Sequence, residues 1–398
     1  MIKNKFKRTS ILCLTLLIFS FLNLTKVHAL SSQEMMTDTI KWGAITEKTN
    51  ISNDKEWKIK FNKSIDSTTA IGKNIYVMDE NENLVSTSIR LNFDNTEIQV
   101  IPSQKYVEGK RYTLYIKDLK AKDGSLLNNN VKMPFSIVQN TIIEVKNTKE
   151  LLENIGPNRT LILKAGDYNL LAPLVLNNKY IRYGEVFDGM ELIIRNLDNL
   201  TIKGEEGAKV QLLVEPRYAT VLNFSNCNNI NIENIIAGHY PDEGYCTGGV
   251  LYFDSSKNIN VNNSELFGCG TMGVTLYDVE NFFFNNSIIK ECSYGIMDIN
   301  ESKNVKFNDS NFYDCREYDL IQIYDSGSVE FNRCNIYNNM INYDYDTGYA
   351  LFQVDLYSKV IVNGGSIKNN CVKDLVNDED KDRVIFNNVD IKNNTILK

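Results

Sequence analysis

Histidine is almost missing from this chain. Only His28 and His239 occur in 398 residues, and His28 belongs to a leader that export would remove. A metal site needing two imidazoles is therefore excluded, and a single ring is left to titrate near neutral pH. The eight cysteines show neither a CxxC pair nor a Cys/His spacing that fits zinc. Past the leader, no run reaches the roughly 20 apolar residues needed to span a bilayer, and no sorting motif or basic tail closes the sequence. Positive charge is not in excess either. The formal charge of −7 includes Lys3, Lys5, Lys7, Arg8 and Lys26 of the leader, which holds no acid, so the mature chain carries about −12. That sign disfavours nucleic acid and anionic lipid as partners. It admits a polyanionic glycan only through a local basic patch or through bridging Ca²⁺.

What is present begins with residues 1–29. Their basic residues precede an apolar run from Ile11 to Leu22, and Val27-His28-Ala29 stands where a signal peptidase cuts. Cys13 follows Leu12 and comes too early for a lipobox. The expected location is secreted or at the extracellular surface.

Residues 38–138 alternate apolar and polar positions over strand lengths, in Glu56–Phe61, Asn74–Val77, Thr96–Val100, Tyr112–Ile116 and Met133–Ile137, with turn residues at Asp94-Asn95 and Asp123-Gly124. That pattern predicts an antiparallel β-sandwich. The run from Trp57 through FNKSID, IYVMD, IQVIPSQKYVEGKRYTLYI and LKAKDG resembles the bacterial Ig-like domain of surface-layer and secreted proteins. The resemblance implies a spacer or display module, and no chemistry is assigned to it.

From residue 140 to 398 one pattern recurs. Ile230-Asn231-Ile232-Glu233, Ile259-Asn260-Val261-Asn262, Phe282-Phe283-Phe284-Asn285, Val305-Lys306-Phe307-Asn308, Val329-Glu330-Phe331-Asn332, Val360-Ile361-Val362-Asn363 and Val384-Ile385-Phe386-Asn387 start 29, 23, 23, 24, 31 and 24 residues apart. A period of this size means one supersecondary unit stacked on its neighbours, and the short alternating strands make it a β-solenoid. Each rung has a strand eight and six residues before the anchor (Leu222/Phe224, Leu251/Phe253, Val274/Leu276, Met297/Ile299, Ile321/Ile323, Phe352/Val354). A third strand follows the asparagine, marked by Leu266, Ile289, Phe312, Ile336, Ile367 and Ile391. Three parallel sheets follow from stacking. Asn262, Asn285, Asn308, Asn332, Asn363 and Asn387 would form a ladder in a left-handed turn. Cys269, Cys292 and Cys315 would stack where later rungs place Asn339, Asn370 and Asn394, either as buried thiols or with one bridge. Thr148 is the expected N-cap of a short helix over Lys149–Ile155. Helix plus LILKAGDYNL, and the ladder, resemble right-handed parallel β-helix proteins of the pectin-lyase-like kind. That resemblance implies that the outer face of the first sheet, walled by the long connections Glu205–Ala219, Ala237–Gly249 and Met340–Gly348, is a sugar-binding cleft.

The outward positions of that sheet are Asn223/Ser225, Tyr252/Asp254, Thr275/Tyr277, Asp298/Asn300, Gln322/Tyr324 and Gln353/Asp355. An ordinary exposed sheet favours lysine and glutamate. Tyrosines and amides instead suit sugar rings and hydroxyls, although stacking between rungs accounts for them equally well. Tyr252, Asp254, Tyr277, Gln322, Tyr324 and Arg217 are the expected substrate contacts, and His239, Asp298, Glu243 and Arg316 the candidate catalytic groups. His239 lies in the glycine-rich segment Gly238–Gly249 and is either a neutral-pH base or a structural loop residue. Asp254 and Asp298, two rungs apart, would stand on the order of 10 Å apart, nearer an inverting than a retaining glycosidase pair. Arg217 and Arg316 are the cations a lyase would use, or they pair with Glu215 and with Glu317 or Asp314. The sequence lacks the three aspartates with Gly-His-Gly and Arg-x-Lys of polygalacturonases, and lacks a pectate lyase signature. No resident cofactor is implied. Ca²⁺ is the one ion that the acidic runs Asp344-Tyr345-Asp346 and Asp374–Asp382 could attract, and neither has EF-hand or nonapeptide spacing. The last rung has Asp378 where an apolar first-sheet residue belongs. Two functions stay open: a carbohydrate-active protein that binds a polysaccharide or cell-wall glycan, with or without cleaving it as lyase or hydrolase, and a non-catalytic adhesive or structural surface protein.

Overall fold

The computed structural model describes residues 42–127, 129–240, 246–268, 270, 272–341 and 350–397. They fall into two units that divide between Asn140 and Thr141. The expected leader, residues 1–29, and Glu243, Cys269 and Asp344–Asp346 lie outside the described residues.

The first unit is a sandwich of a three-stranded sheet (Trp57–Lys60, Glu97–Pro102, Thr87–Leu91) and a larger one ordered Trp42–Ala44, Asn130–Ile137, Arg111–Ile116, Ile75–Asp79, Leu84–Val85. All five sequence-predicted strands are present. The pairing is antiparallel except at one edge, where Trp42–Ala44 and Lys48–Ile51 run parallel to Asn130–Ile137. Alternation puts Ile98, Val100, Leu114 and Phe135 inside. Phe135 packs against Trp57, Tyr106 and Tyr112 with ring centroids 4.8, 5.3 and 5.6 Å away.

The second unit is all parallel apart from one hairpin, Ile181–Val186 with Gly189–Arg195. The anchor strands make a ten-stranded second sheet from Thr141–Val145 to Val384–Asn387. The strands before them make the first sheet and those after them the third, each nine-stranded. Register follows the repeat, as where Ile259 pairs with Phe282, Val261 with Phe284 and Asn262 with Asn285. The marked apolar residues of the first two sheets point inward with almost no exposure as far as Val362, whereas Phe386 in the last rung is only partly buried. Phenylalanines stack up the axis, with Phe224 on Phe253 and Phe307 on Phe331 both at 4.9 Å. In the third sheet Ile391 departs from the pattern and is 38% exposed.

The asparagine ladder is continuous. Each side-chain amide donates to the oxygen one rung before it, from Asn285 on Asn262 to Asn387 on Asn363, at 2.7–2.9 Å. The left-handed residue, however, is the next one along. Asn263, Asn286, Asp309, Arg333, Gly364 and Asn388 have φ between 47° and 67°, so the ladder asparagine keeps the extended backbone of a strand end and spends its amide on stacking.

Buried serines add ladders that the repeat does not announce. Ser264 and Ser287 N–H groups donate to the hydroxyls of Ser287 and Ser310 at 3.0 and 3.1 Å. Each of those hydroxyls donates back to a ladder asparagine's carbonyl, Ser287 to Asn285 O and Ser310 to Asn308 O. Turn donors that would otherwise be buried unpaired are thereby satisfied.

At the other turn Cys315 N–H donates to Asn339 Oδ1, Asn339 N–H to Asn370 Oδ1 and Asn370 N–H to Asn394 Oδ1. Cysteine and asparagine thus share this column, and Cys227, Cys315, Cys334 and Cys371 are free thiols. A fourth, unforeseen sheet joins Arg316–Glu317, Met340–Ile341, Cys371–Val372 and Thr395–Ile396.

Three expectations need correction. The helix is Thr148–Asn154 and its N-cap is Asn147, whose Oδ1 accepts from Glu150 N at 2.9 Å while the Glu150 carboxylate accepts from Lys146 N, a reciprocal cap that Thr148 cannot make from inside the helix. Glu205–Ala219 and Ala237–Gly249 are not insertions throughout, because the first contains the third-sheet strand Val210–Val214 and the second begins inside the third-sheet strand Ile236–His239. At Asp378 the first sheet ends after Asp374–Val376 and the chain turns through a 3₁₀ helix, Asp378–Arg383, which removes the need for an apolar residue there.

Candidate functional site

Parallel register lines up the outward residues of the first sheet in two columns. One runs Asn223, Tyr252, Thr275, Asp298, Gln322, Gln353, and the other Ser225, Asp254, Tyr277, Asn300, Tyr324. Asp298 stands in the middle of the first column. Its Oδ1 accepts from Asn300 Nδ2 at 2.5 Å, and burial raises its carboxyl above the ordinary 3.8. Asp319, two residues before the next first-sheet strand, is also raised by burial, and its Oδ1 accepts from Ala350 N at 2.6 Å. Gln322 Nε2 donates to the Asp319 carbonyl at 3.2 Å, which ties that connection to the column.

Two tyrosines report how the acids are grouped. Tyr324 is pushed up to about 12, first by burial and then by the charges of Asp319, Asp298 and Asp355. Tyr252 is raised by burial, then by Asp254, Glu191, Tyr277 and Asp298. Asp298 therefore lies within electrostatic reach of both hydroxyls. Asp254 accepts from Ser225 Oγ at 3.1 Å, and the exposed Tyr277 donates to Glu301 at 3.1 Å. Glu191, on the hairpin strand beside the column, accepts from Thr220 N at 2.8 Å and from Asn223 Nδ2 at 3.2 Å.

Aromatic rings occupy the connections that enter this sheet. Tyr294 and Tyr318 stand 5.1 Å apart, three residues before Met297 and Ile321. Burial takes Tyr294 up to about 12, helped by Tyr318, Cys246, Glu317 and Tyr218. Tyr218 in turn lies 5.1 Å from Phe187 at the hairpin tip, which is 89% exposed.

Not every expected residue is brought here. His239 ends the strand Ile236–His239 and pairs in register with Val214. It is a strand residue rather than a loop residue, 3% exposed, with Nε2 2.9 Å from Ala219 O, which leaves Nδ1 without a partner against Gly268. Burial lowers its pKa, and the bond to Ala219 and the charge of Asp188 act in the opposite direction. A sealed imidazole cannot reach a proton on a bound glycan. Glu243 is outside the described residues. Arg316 opens the two-residue strand of the fourth sheet. Arg217 is half-buried beside the hairpin, its N–H on Asp188 Oδ2 at 2.7 Å. Among the described residues no group of three or more His, Cys, Asp or Glu is arranged to hold a metal ion.

The sequence reading overlooked Asp319, Glu191 and Tyr294. No break in a column announces Asp319: equivalent positions carry Gly249, Met272, Gly295 and Ala350, but the next rung again has an acid, Asp374, in register with Ala350.

The buried ring also fixes an acid response. Charging His239 is harder in the folded chain than in the unfolded one, so stability is retained above the ordinary value of 6.5 and lost as pH falls below it. In His239→Gln, urea unfolding between pH 7 and pH 5 should show a flatter fall than the parent chain. Equal slopes would remove His239 as the cause.

Comparison with known proteins identifies parts of the chain. Residues 45–137 match the bacterial Ig-like domain family Big_5. A comparison with curated proteins returned no match. The surface-layer protein SbsC is similar at 21% identity, covering 24% of this chain and 14% of that one, with a TM-score of 0.20; the match thus spans about one seventh of that protein. The pectate lyase Pel9A is similar at 11% identity over 64% of this chain and 78% of its own, TM-score 0.38. A family 28 exopolygalacturonase of Yersinia enterocolitica is similar at 9% identity over 90% and 99%, TM-score 0.24. From the family match and the sheet register, residues 45–137 are a bacterial Ig-like domain, and the chain from Thr141 onward is a parallel β-helix.

Proposed function

We propose that this protein is exported, binds a polysaccharide along the outer face of the first sheet, and hydrolyses glycosidic bonds there with Asp298 and Asp319. The observation that carries the reading is the pair itself: two carboxyls desolvated beside one tyrosine, Tyr324. Glycoside hydrolysis needs one carboxyl that keeps its proton for the leaving oxygen and one that is ionised to act as base or nucleophile. Desolvation is the means by which an aspartic acid keeps its proton above pH 4. Tyr252, Tyr277, Gln322 and Tyr324 supply ring faces and hydrogen-bonding groups around them, which is what a sugar's CH face and hydroxyls require.

The test is a polysaccharide panel offered to the mature chain with and without Ca²⁺, following reducing ends and the absorbance of unsaturated uronates. Reducing ends should rise without that absorbance. Retention of a glycan with no turnover would reduce the protein to an adhesive rod, and absorbance would make it a lyase. Neither retention nor turnover would end the reading.

A further inference from the structure

We infer that the glycan taken by this face is uncharged, a neutral hexosan or an N-acetylhexosamine polymer, and not a polyuronate. The inference rests on the proposed use of the first-sheet face and adds the charge of what lies on it. The twelve outward positions from Asn223 to Asp355 contain no lysine or arginine, and three of them, Asp254, Asp298 and Asp355, are acids. Glu191 and Asp319 add carboxyls at the margin, while the hairpin end of the sheet carries its cations, Arg195 in register with Ser225 and Arg182 opposite Ile193.

Arg217 and Arg316 are the cations of the connections entering the sheet between residues 215 and 350. Neither is among the groups whose charge acts on Asp298, Asp319, Tyr252 or Tyr324. Lys257 and Lys303 lie round the corner, at the starts of second-sheet strands, with Glu280 between them in register.

A polyuronate laid along this face would set one negative charge per sugar against these carboxyls, in a region dry enough to raise two of them. Like charges a few ångströms apart repel strongly where water is excluded. Calcium could bridge them only where several carboxylates converge, and no such group of three exists among the described residues. A neutral polymer meets no such penalty. It finds the tyrosine rings and the amides of Asn223, Asn300, Gln322 and Gln353.

The experiment is affinity electrophoresis of the full mature chain in gels containing neutral glucans or mannan, acetylated chitin fragments, polygalacturonate, alginate or deacetylated chitosan. It is run at low and at high salt, with and without Ca²⁺, beside Tyr252→Ala. At least one uncharged polymer should retard the chain, with both uronates at least about 100-fold weaker, and Tyr252→Ala should relieve the retardation. If a uronate or chitosan is held more tightly and Tyr252→Ala releases it, the charge inference is overturned while the face stands as the binding site. Should no polymer retard the chain, or should Tyr252→Ala change nothing, the site reading and this inference both fall.

Discussion

Asp298→Asn is expected to lower turnover by about 10²- to 10⁴-fold, the usual worth of a positioned acid or base, and to make the folded protein more stable at pH 7. Both effects come from the same burial. With its pKa raised on folding, Asp298 binds its proton more tightly in the native chain, so its contribution to stability is present at low pH and is lost as pH rises through the shifted value. Asparagine keeps the oxygen that accepts from Asn300 Nδ2 but has no charge to desolvate. Unfolding in urea should therefore give the variant and the parent equal stability near pH 4 and favour the variant at pH 7. Asp319→Asn should behave alike, since its acceptor bond to Ala350 N also survives. The double variant should lose little more activity than either single one, because the two act as a unit. A variant that loses stability at pH 7 while keeping activity would return Asp298 to the scaffold.

The sequence exposed the scaffold better than the site, for physical reasons. A rung repeats because each ladder asparagine must meet a copy of itself, and each inward Phe or Ile must meet its equivalent one rung on. Those demands fixed Asn308 and Phe307 at a set spacing and made sheet membership readable. The turn geometry was read one residue early, since the side chain that stacks, Asn308, and the backbone that reverses, Asp309, are neighbours with different duties. His239 was misplaced because Gly238 and the glycines after it look like a loop. They hide a strand that continues the third-sheet register, Leu212 with Ala237 and Val214 with His239. Asp298 could be found because strand alternation aims it outward. Asp319 could not, because it lies in a connection where alternation has stopped and only packing decides what is buried.

Phe307→Ala should be the most damaging single substitution in the solenoid, costing about 3–5 kcal/mol. The ring is fully buried and touches four others, Phe331 at 4.9 Å, Phe284 and Phe312 at 5.7 Å and Phe282 at 5.9 Å. Parallel strands above and below hold the backbone, so the walls have little freedom to collapse into the gap, and cavity cost adds to the lost burial. Asn308→Ala removes the bond to Asn285 and strands the amide of Asn332, yet these groups are half-buried and water can replace them, so its cost should stay near 1 kcal/mol. In a stack held by neighbour contacts, damage to one rung weakens its interfaces first. Hydrogen exchange in Phe307→Ala should therefore accelerate most in Glu280–Asn285 and Ser328–Asn332, the strands paired on either side, and least in Thr141–Val145. Uniform acceleration along the solenoid would show instead that the helix unfolds as one cooperative block.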